Sequence, residues 1–335
     1  MLTFTLRRLL LAVPTLLVIS LVIFLVVDLA PGSPMSEIPL TIPPEVRRKM
    51  IAALGADQPV FVRYLLWLRQ FFWVEPASLF DGWFGTALAD GEQRILSWQS
   101  RSPVFSIIGQ RLPQTLTVIG TAYIVGILIA LPIGIYSAYR QYSWFDQAGT
   151  LFAMIGFSVP TFFSGTLFIL LFAVWLGWFP TKYDTQLEVR DWASFWQQAR
   201  QMAMPVMTLG LANAAAISRY MRSSMLDNMG MDYVRTARAK GMSERTVVLK
   251  HVLRNSLIPV VTVIALGIPS IFGGAIVTEN LFGVNGIGAA LIGAIQANDI
   301  PMVQTLAFIF AVLIVLFNLI ADILYGLLDP RIRYE

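Results

Sequence analysis

Six long stretches without a charged residue constrain this chain more than any other feature. They cover residues 9–27, 112–139, 147–181, 201–218, 255–278 and 300–321. A helix crosses the hydrocarbon core of a bilayer with about 20 apolar residues, so each stretch is long enough, the fourth barely. Only 13% of the residues are charged and 56% are hydrophobic, whereas soluble domains carry about a quarter charged residues. The sequence therefore predicts an all-α integral membrane protein with six transmembrane helices.

The stretch 147–181 is the ambiguous one, because it is longer than one span needs. Two spans and a turn would take roughly 40 residues or more. One long helix, bent near Pro160 and Gly165, fits the length more easily. The first stretch also has two interpretations. It follows Arg7 and Arg8 but is long for a signal-peptide core and lacks a small-residue cleavage site, so we expect residues 1–30 to be a retained first helix.

The distribution of basic residues orients these spans. Residues 219–254 hold eight of the 24 Lys and Arg residues, and short basic loops stay in the cytoplasm. Six spans place this loop on the same side as Arg7, Arg8 and Arg140, and as Arg331 and Arg333. Both termini are therefore expected in the cytoplasm. The net charge of +4 follows from this topology, and no nucleic-acid partner is needed to explain it.

Residues 31–103 form the largest segment outside the predicted spans and are expected on the external side. A helix is predicted at 46–54 and an amphipathic helix at 60–72. The second is expected along the outer membrane face, either as a brace for the spans or in contact with an external substrate carrier. Trp73, Trp83 and Trp98 are interpreted as interfacial anchors.

Several catalytic and ligand-binding motifs are absent from the sequence. It has no Gly-x-x-x-x-Gly-Lys-Ser/Thr loop, no His-Glu-x-x-His, no Gly-x-Ser-x-Gly, no cysteine and one histidine, His251. These motifs carry nucleotide binding, metalloprotease and hydrolase chemistry. We therefore expect no catalytic, cofactor or metal site in this chain, and an energy source in another subunit or in an ion gradient.

The basic loop reads as two helical pieces. The first is predicted at about 225–240 and ends at Gly241, because glycine commonly terminates helices. Ser243 is predicted to cap the second piece, with Glu244 in its first turn and Lys250 near its end. Residues 257–259, Leu-Ile-Pro, lead back into the membrane.

At this loop the sequence resembles a known family. Thr-Ala-Arg-Ala-Lys-Gly at 236–241 and Arg-Asn-Ser-Leu-Ile-Pro at 254–259 are similar to the cytoplasmic EAA-type loop of ABC importer permeases, specifically the B-type permease of dipeptide and oligopeptide importers. Further matches extend over nearly the whole chain: Leu-Arg-Arg-Leu at 6–9 with Pro14 and Ala-Pro-Gly at 30–32, Arg-Leu-Pro-Gln-Thr-Leu at 111–116, Arg-Ser-Ser-Met-Leu at 222–226, Thr-Glu-Asn-Leu-Phe at 278–282 with Gly-Ile-Gly at 286–288, and residues 322–333. Arg235-Thr236-Ala237 replaces the general Glu-Ala-Ala, and Arg254 replaces a proline, which favours the peptide and nickel branch.

The resemblance implies a type I ABC importer permease in the bacterial cytoplasmic membrane. It would have residues 1–30 as the first helix, 31–103 outside, and 104–335 as a core of five further spans. The implied partners are a homologous second permease subunit, two cytoplasmic ATPases that bind ATP and Mg, an external substrate-binding protein and membrane lipids. The residues expected to dock on the ATPase are Tyr233, Arg235, Thr236, Ala237, Arg238, Ala239, Lys240, Gly241 and Glu244. The implied cargo is short peptides, with nickel complexes, haem, glutathione and peptide antibiotics as alternatives; residues lining the pathway are not predicted.

Other interpretations remain open from the residues alone. An ion-coupled secondary transporter would need midspan carboxylates, which are absent. A basic helix on anionic lipid would not need the ordered small residues at 237–241. Among individual positions, Asp28 and Glu279 are expected in water at outer span ends, His251 in a solvated loop, and Asp322 in a polar seam with Asn318. Gly267, Gly273 and Gly274, near Pro269, suggest either a gate-like bend or close helix packing.

Overall fold

The computed structural model describes residues 2–29, 58–272 and 276–328. Within these ranges the chain is helical apart from turns, loops and one isolated bridge between Leu96 and Pro103. The helix predicted at 46–54, Gly273, Gly274 and the residues after 328 lie outside the described part. The first helices are α1 (Leu2–Asp28), α2 (Val60–Arg69), α3 (Glu75–Phe84), α4 (Val104–Thr115), α5 (Thr121–Tyr139), α6 (Trp144–Ser158) and α7 (Thr161–Phe168).

The remaining helices are α8 (Trp192–Met229), α9 (Asp232–Ala239), α10 (Glu244–Thr246), α11 (Leu253–Phe272), α12 (Ile276–Phe282), α13 (Ile287–Gln296) and α14 (Ile300–Leu328). π-helical turns follow α2, α4, α7 and α10, at Gln70–Val74, Leu116–Gly120, Ile169–Trp175 and Val247–Val252. The chain divides into two compact units. The larger comprises Met1–Leu10, Pro113–Ala289 and Leu313–Glu335, and the smaller comprises Leu11–Leu112 and Ala290–Val312.

The prediction of an all-α membrane protein is confirmed. Four helical stretches in the described residues are long and apolar enough to cross a membrane: Thr5–Asp28, Val104–Tyr139, Glu244–Ile271 and Ile300–Ile323. The count rises to six if two sharply bent helix pairs each form one span, α6 with α7 and α12 with α13. The predicted span 201–218 is instead part of the 38-residue helix α8, whose polar ends lower its average hydropathy.

The long stretch 147–181 is broken where the sequence suggested a bend. α6 and α7 meet at Pro160 with an angle of 104°, too large for the single bent helix that was predicted. Their contacts nevertheless advance steadily along α8 in the opposite chain direction. In order, the paired residues are Asp146 with Arg222, Gly156 with Ala215, and Gly165 with Thr208. α6 and α7 thus both contact α8, one on each side of the break.

Helix α8 is the centre of the larger unit. It begins with a capping box in which Asp191 accepts a hydrogen bond from the Ser194 backbone N–H and the Ser194 hydroxyl accepts one from the Asp191 N–H. The Ser194 hydrogen bonds also lower the pKa of the Asp191 carboxyl, so it carries the negative charge that a helix N-terminus favours. α5 packs unusually close to α8, because an added Cβ at Gly134 would lie 2.7 Å from the Ser218 carbonyl oxygen.

In the smaller unit, the amphipathic helix α2 braces α1 and α14. Tyr64 and Trp67 are buried, and the Tyr64 ring meets Phe24 edge-on with centroids 5.4 Å apart. Trp67 meets Phe308 at 5.2 Å. The bracing interpretation of this segment therefore holds. Asp28 is not simply exposed to water as expected, because Arg63 binds both of its carboxylate oxygens at 2.6 and 3.0 Å.

Two buried carboxylates fold the chain between α2 and α4 in the same unit. Glu75 binds Arg94 at 2.7 Å and accepts the backbone N–H of Ile95 at 2.8 Å. Asp299 accepts hydrogen bonds from the Ser97 hydroxyl and from the backbone N–H of Trp98 at 3.0 Å. Trp98 is half-buried and held by this contact, whereas Trp73 and Trp83 are exposed as interfacial anchors would be.

Candidate coupling interface

The basic loop begins with a break between α8 and α9. One continuous helix was predicted at about 225–240, but α8 ends at Met229 and α9 starts at Asp232 after an extended Met231. The break follows Gly230, which has low helix propensity. As a result α9 is a separate eight-residue helix. An isolated helix this short is marginal in water, so packing must hold it in place.

That packing comes from an apolar cluster beneath α9. Val234 is fully buried and Ala237 is 5% exposed. They share a cluster with the π-helical turn and with the end of α8, whose buried members are Met221, Met225, Val247, Val248 and Val252. Burial of one Val side chain contributes about 1.5–3 kcal/mol, so this cluster positions α9 without a partner.

Ala237 and Tyr233 were expected on the docking surface, and in the structure both side chains pack toward the chain's own cluster. Ala237 lies one turn from Val234 on the buried face, so its small size serves the chain's own packing. Tyr233 is half-buried against the same cluster, and its hydroxyl donates a hydrogen bond to Asn228 Oδ1 at 2.7 Å. The tyrosine therefore anchors α9 to the end of α8.

The remaining predicted residues are all exposed and form one surface on α9 and the turn that follows it. We call this surface the outer face of α9; it consists of Arg235, Thr236, Arg238, Ala239, Lys240, Gly241 and Glu244. Arg238 makes a two-pronged ion pair with Glu244, at 2.6 and 3.1 Å. The Arg235–Asp232 pair is looser, at 3.6 Å. Both pairs are well exposed and contribute little to stability, so these charges remain available to a partner.

The turn after α9 matches the sequence prediction. Gly241 has φ +73°, a left-handed conformation that glycine adopts without steric cost. Ser243 caps the next piece, and its hydroxyl oxygen accepts a hydrogen bond from the Thr246 backbone N–H at 3.4 Å. An added Cβ at Gly241 would meet no atom within 4 Å. Backbone conformation, and not space, is what requires glycine here.

Polar contacts that the sequence did not reveal fasten this loop to the spans. Arg222 binds the buried Asp146 at the start of α6 through two hydrogen bonds of 2.5 and 2.8 Å. The Ser224 hydroxyl donates to the Ser256 carbonyl at 2.8 Å, and the Ser256 hydroxyl donates back to the Ser224 carbonyl at 3.2 Å. Arg222, Ser224 and Ser256 lie in segments that carried the family resemblance, and pairing across more than 30 residues is what hid their roles. These contacts join α6, α8 and α11 beside α9.

Two of three single-residue expectations change. His251 is not a solvated loop residue, because it lies in the π-helical turn, half-buried, with its Nε2 atom buried and without a hydrogen-bond partner. Glu279 is fully buried. Asp322 makes the expected inter-helix polar contact, with Arg8 at 2.9 Å, whereas Asn318 is exposed.

Close packing is present at the fifth predicted span. The Tyr123 hydroxyl donates to the Ile264 carbonyl at 2.6 Å. An added Cβ at Gly267 would lie 2.1 Å from that hydroxyl oxygen. Of the two interpretations of this glycine, close packing of α5 on α11 is the one that the contacts support.

Comparisons with known proteins agree with this architecture. Residues 130–334 match the family described as "Binding-protein-dependent transport system inner membrane component", and residues 1–119 match the N-terminal part of such membrane components. A protein of Bacillus subtilis (strain 168) named oligopeptide transport system permease protein AppB is 37% identical over the full length of both chains.

The chain is also similar to a second curated protein and to one solved structure. A protein of Salmonella choleraesuis (strain SC-B67) named glutathione transport system permease protein GsiC is 38% identical, again over the full length of both chains. A solved structure titled "Crystal structure of an amino acid ABC transporter with histidines" covers 68% of this chain and 95% of its own, with 14% identity and a TM-score of 0.47. From the two family matches and the full-length relatives it follows that this chain belongs to the inner membrane components of binding-protein-dependent transport systems, as a multi-pass permease.

Proposed function

We propose that this permease forms half of the translocation pathway of an ABC importer for short peptides. It works with a homologous second permease, two cytoplasmic ATPases that bind ATP and Mg, and an external binding protein. The observation that carries the proposal is the construction of α9. Its apolar side is fixed to the chain's own core, while its outer face presents small and cationic residues.

The outer face of α9 suits a protein partner with acidic residues. Ala239 and Gly241 let a surface approach closely, and Arg235 and Lys240 are exposed cations without a strong partner in the described chain. Complementary charge speeds encounter and fixes orientation. The small residues would fit in a cleft of the ATPase.

The helices around α9 provide a route from the ATPase to the spans. The π-helical turn Val247–Val252 continues directly into α11, and the Ser224–Ser256 contacts tie α11 to α8. When ATP binding closes the two ATPases, α9 moves with the subunit that holds it. α8 and α11 move with α9, and the pathway changes from inward-open to outward-open. ATP hydrolysis resets it.

Six crossings give the required orientation. We propose that α1, α4 with α5, α6 with α7, α8, α11 and α14 cross the membrane, and that α12 with α13 enters and leaves on the external side. α9 then lies in the cytoplasm with both termini. Both α6 and α7 contact α8, at Arg222, Ala215 and Thr208 in turn, which supports counting that broken pair as one crossing.

The cargo is inferred from the full-length relatives. Their names specify oligopeptides and glutathione, and glutathione is itself a tripeptide. Nickel complexes, haem and peptide antibiotics are the alternatives within the same branch. An ion-coupled transporter is the alternative from another class, and it would have no use for the outer face of α9.

One exposed alanine tests the coupling proposal. Ala239→Trp adds bulk to the outer face without touching the apolar cluster, whereas a change at Ala237 would disturb the fold of the loop itself. We expect the Ala239→Trp permease to reach the membrane normally but to retain no ATPase during purification and to import no radiolabelled trialanine.

The matched control is Ala148→Trp, the same substitution at an exposed helical alanine of α6. It should retain the ATPases and import trialanine. Normal ATPase retention by Ala239→Trp would refute docking at this face. A wild-type complex that retains ATPases but imports neither trialanine nor glutathione would refute the peptide cargo alone.

A further inference from the structure

Three segments of the larger unit meet at the end opposite the basic loop. They are residues 113–115 at the end of α4, residues 279–289 around the turn between α12 and α13, and residues 181–185 before α8. We call this meeting point the outer junction. It contains two of the segments that carried the family resemblance, and the coupling proposal assigns neither of them a role.

A buried carboxylate fastens the first two segments together. Glu279 is fully buried. Its Oε1 accepts a hydrogen bond from the Thr115 hydroxyl at 2.9 Å, and its Oε2 accepts the Ala289 backbone N–H at 2.8 Å. The Thr115 oxygen also accepts the Ile287 N–H at 2.8 Å. Since Ile287 and Ala289 lie in the first turn of α13, the carboxylate also meets the favourable end of that helix dipole.

Two glycines make room for this carboxylate. An added Cβ at Gly286 would lie 2.3 Å from Glu279 Oε1, and one at Gly288 would lie 2.9 Å from Oε2. The turn therefore wraps tightly around Glu279. Together with Thr115 it forms one rigid group with the end of α4.

The third segment belongs to a different group. The backbone N–H of Asp184 donates to Gln201 Oε1 at 2.8 Å, and Gln201 Nε2 donates to the Asp184 carbonyl at 3.3 Å. The Tyr183 hydroxyl accepts a hydrogen bond from Gln198 Nε2 at 2.5 Å. Burial raises the pKa of Tyr183, so its hydroxyl stays protonated. Residues 183–184 therefore move with the first turns of α8.

Apolar packing and hydrogen bonds join these two groups across the junction. Phe282 and Val284 of the turn share a buried apolar cluster with Met204 of α8, and Tyr183 packs against it. The Tyr183 backbone N–H donates to the Phe282 carbonyl at 2.8 Å. Gln114 Nε2 donates to the Thr185 carbonyl at 3.2 Å, while its Oε1 accepts the Asn285 N–H at 3.2 Å. The residues of segment 181–185 also separate two open clefts, of about 540 Å³ and about 230 Å³. Water thus reaches both sides of the bridge.

We propose that Gln114, through its paired hydrogen bonds, is a positioning residue that latches the external mouth of the pathway in its closed state. Opening separates segment 181–185 and α8 from the turn held by Glu279 and Thr115. The hydrogen bonds of Gln114 to Thr185 and of Tyr183 to Phe282 break, and water from the clefts replaces them. The contacts of Glu279 persist in both states. This inference rests on the proposed topology, which places the outer junction outside.

A disulfide across the junction tests the latch, because the natural chain has no cysteine. A Cβ at position 283 would lie 3.8 Å from Lys182 Cβ, within the roughly 3.5–4.5 Å that disulfides span. Lys182→Cys with Gly283→Cys is expressed in the complete complex in membrane vesicles and oxidised. Maleimide-polyethylene glycol then counts the remaining free thiols by gel shift.

We expect the disulfide to form readily in nucleotide-free vesicles and much more slowly after trapping with ATP and vanadate. Equal rates in the two states would overturn the latch. Nucleotide retention by the wild-type complex, measured first, tests the proposed function separately. The single variant Gly283→Cys controls for strain, because Gly283 has φ +72°.

A second variant needs no cross-link. Gln114→Glu still accepts the Asn285 N–H but cannot donate to the Thr185 carbonyl. A loosened latch should raise ATP hydrolysis in the absence of the binding protein severalfold, whereas simple misfolding would lower it. Thr15→Val, which removes a comparable hydrogen bond to the Leu11 carbonyl within α1, should leave that rate unchanged. An unchanged or lowered rate in Gln114→Glu would refute the role of Gln114.

Discussion

The coupling interface and the outer junction lie at opposite ends of the larger unit and differ in where their charged groups lie. Beneath α9 the buried residues are apolar, and the charges point outward. At the outer junction a carboxylate and a hydroxyl are buried beside the apolar Phe282 and Val284, and they make directional hydrogen bonds to each other and to the turn. The coupling interface exposes its charged groups to a partner, whereas the polar groups of the outer junction bind one another within the chain.

This difference matches the work proposed for each end. Apolar packing is non-directional, so α9 can be carried with its neighbours as a unit when a partner moves it. Hydrogen bonds weaken steeply when their geometry is lost. The hydrogen bonds from Gln114 to Thr185 and from Tyr183 to Phe282 are therefore either made or broken, as a latch needs, while those of Glu279 hold the turn in both states. Four sets of substitutions probe the contrast, beginning with the largest expected effect.

Glu279→Leu should be the most damaging change. It leaves the Thr115 hydroxyl and the Ala289 N–H buried without their acceptor, and each unsatisfied group costs about 1–3 kcal/mol. We expect a marked fall in the thermal midpoint of the purified permease and poor yield. Glu279→Gln keeps an acceptor oxygen and should lose less. Equal stability of Glu279→Leu and the natural chain would show that the outer junction is not held by this carboxylate.

Arg222→Met should come next. It removes the partner of Asp146, whose side chain is only 4% exposed. Breaking a buried ion pair costs about 3–5 kcal/mol, and we expect roughly half of that because Arg222 is partly exposed. The double variant with Asp146→Leu should recover much of the lost thermal stability. No recovery in the double variant would mean that Arg222 acts through other contacts.

Ala237→Leu compared with Ala239→Leu separates the two faces of α9. Overpacking the cluster at Ala237 should cost about 1–3 kcal/mol, seen as a lower thermal midpoint of the isolated permease. Ala239→Leu should change stability by less than about 0.5 kcal/mol but weaken ATPase retention. The reverse pattern would place the docking surface on the other face of α9.

Gly241 should give the smallest effect. Gly241→Val forces a β-branched residue into the left-handed region at a cost of roughly 1–2 kcal/mol, although no atom blocks its Cβ. Asn tolerates this conformation, so Gly241→Asn should be close to the natural chain in thermal midpoint and in ATPase retention. If both variants lost the ATPase equally, the absence of a side chain at 241, and not its backbone conformation, would be what docking requires.

Features that depend on neighbouring residues could be predicted from the sequence, whereas contacts between distant residues could not. The turn at Gly241 and the cap at Ser243 depend on neighbouring residues, and the structure confirms them. The break after α8 was missed because the helical pattern continues through Gly230. The buried face of Ala237 was missed because its neighbours Val247 and Val248 come from the next helical piece.

The outer junction could not be predicted from local sequence pattern for a similar reason. Glu279 stands at the end of an uncharged stretch, where exposure to water is the ordinary expectation. Its burial depends on Thr115, 164 residues away along the chain, and on the turn that follows it. The partners in two other contacts are likewise far apart in the sequence: Ser224 and Ser256 by 32 positions, and Asp146 and Arg222 by 76. Hydropathy and spacing carry no record of such pairs.

The central claim is that the outer face of α9 is covered by an ATPase while its other face packs on the permease. Single cysteines test it directly, because any labelled thiol in the band of this permease is the engineered one. In inside-out membrane vesicles, Ala239→Cys should react rapidly with a bulky maleimide after the ATPases are stripped and slowly when they are bound. Ala237→Cys should react slowly in both preparations. Rapid labelling of Ala239→Cys with the ATPases bound would contradict the account.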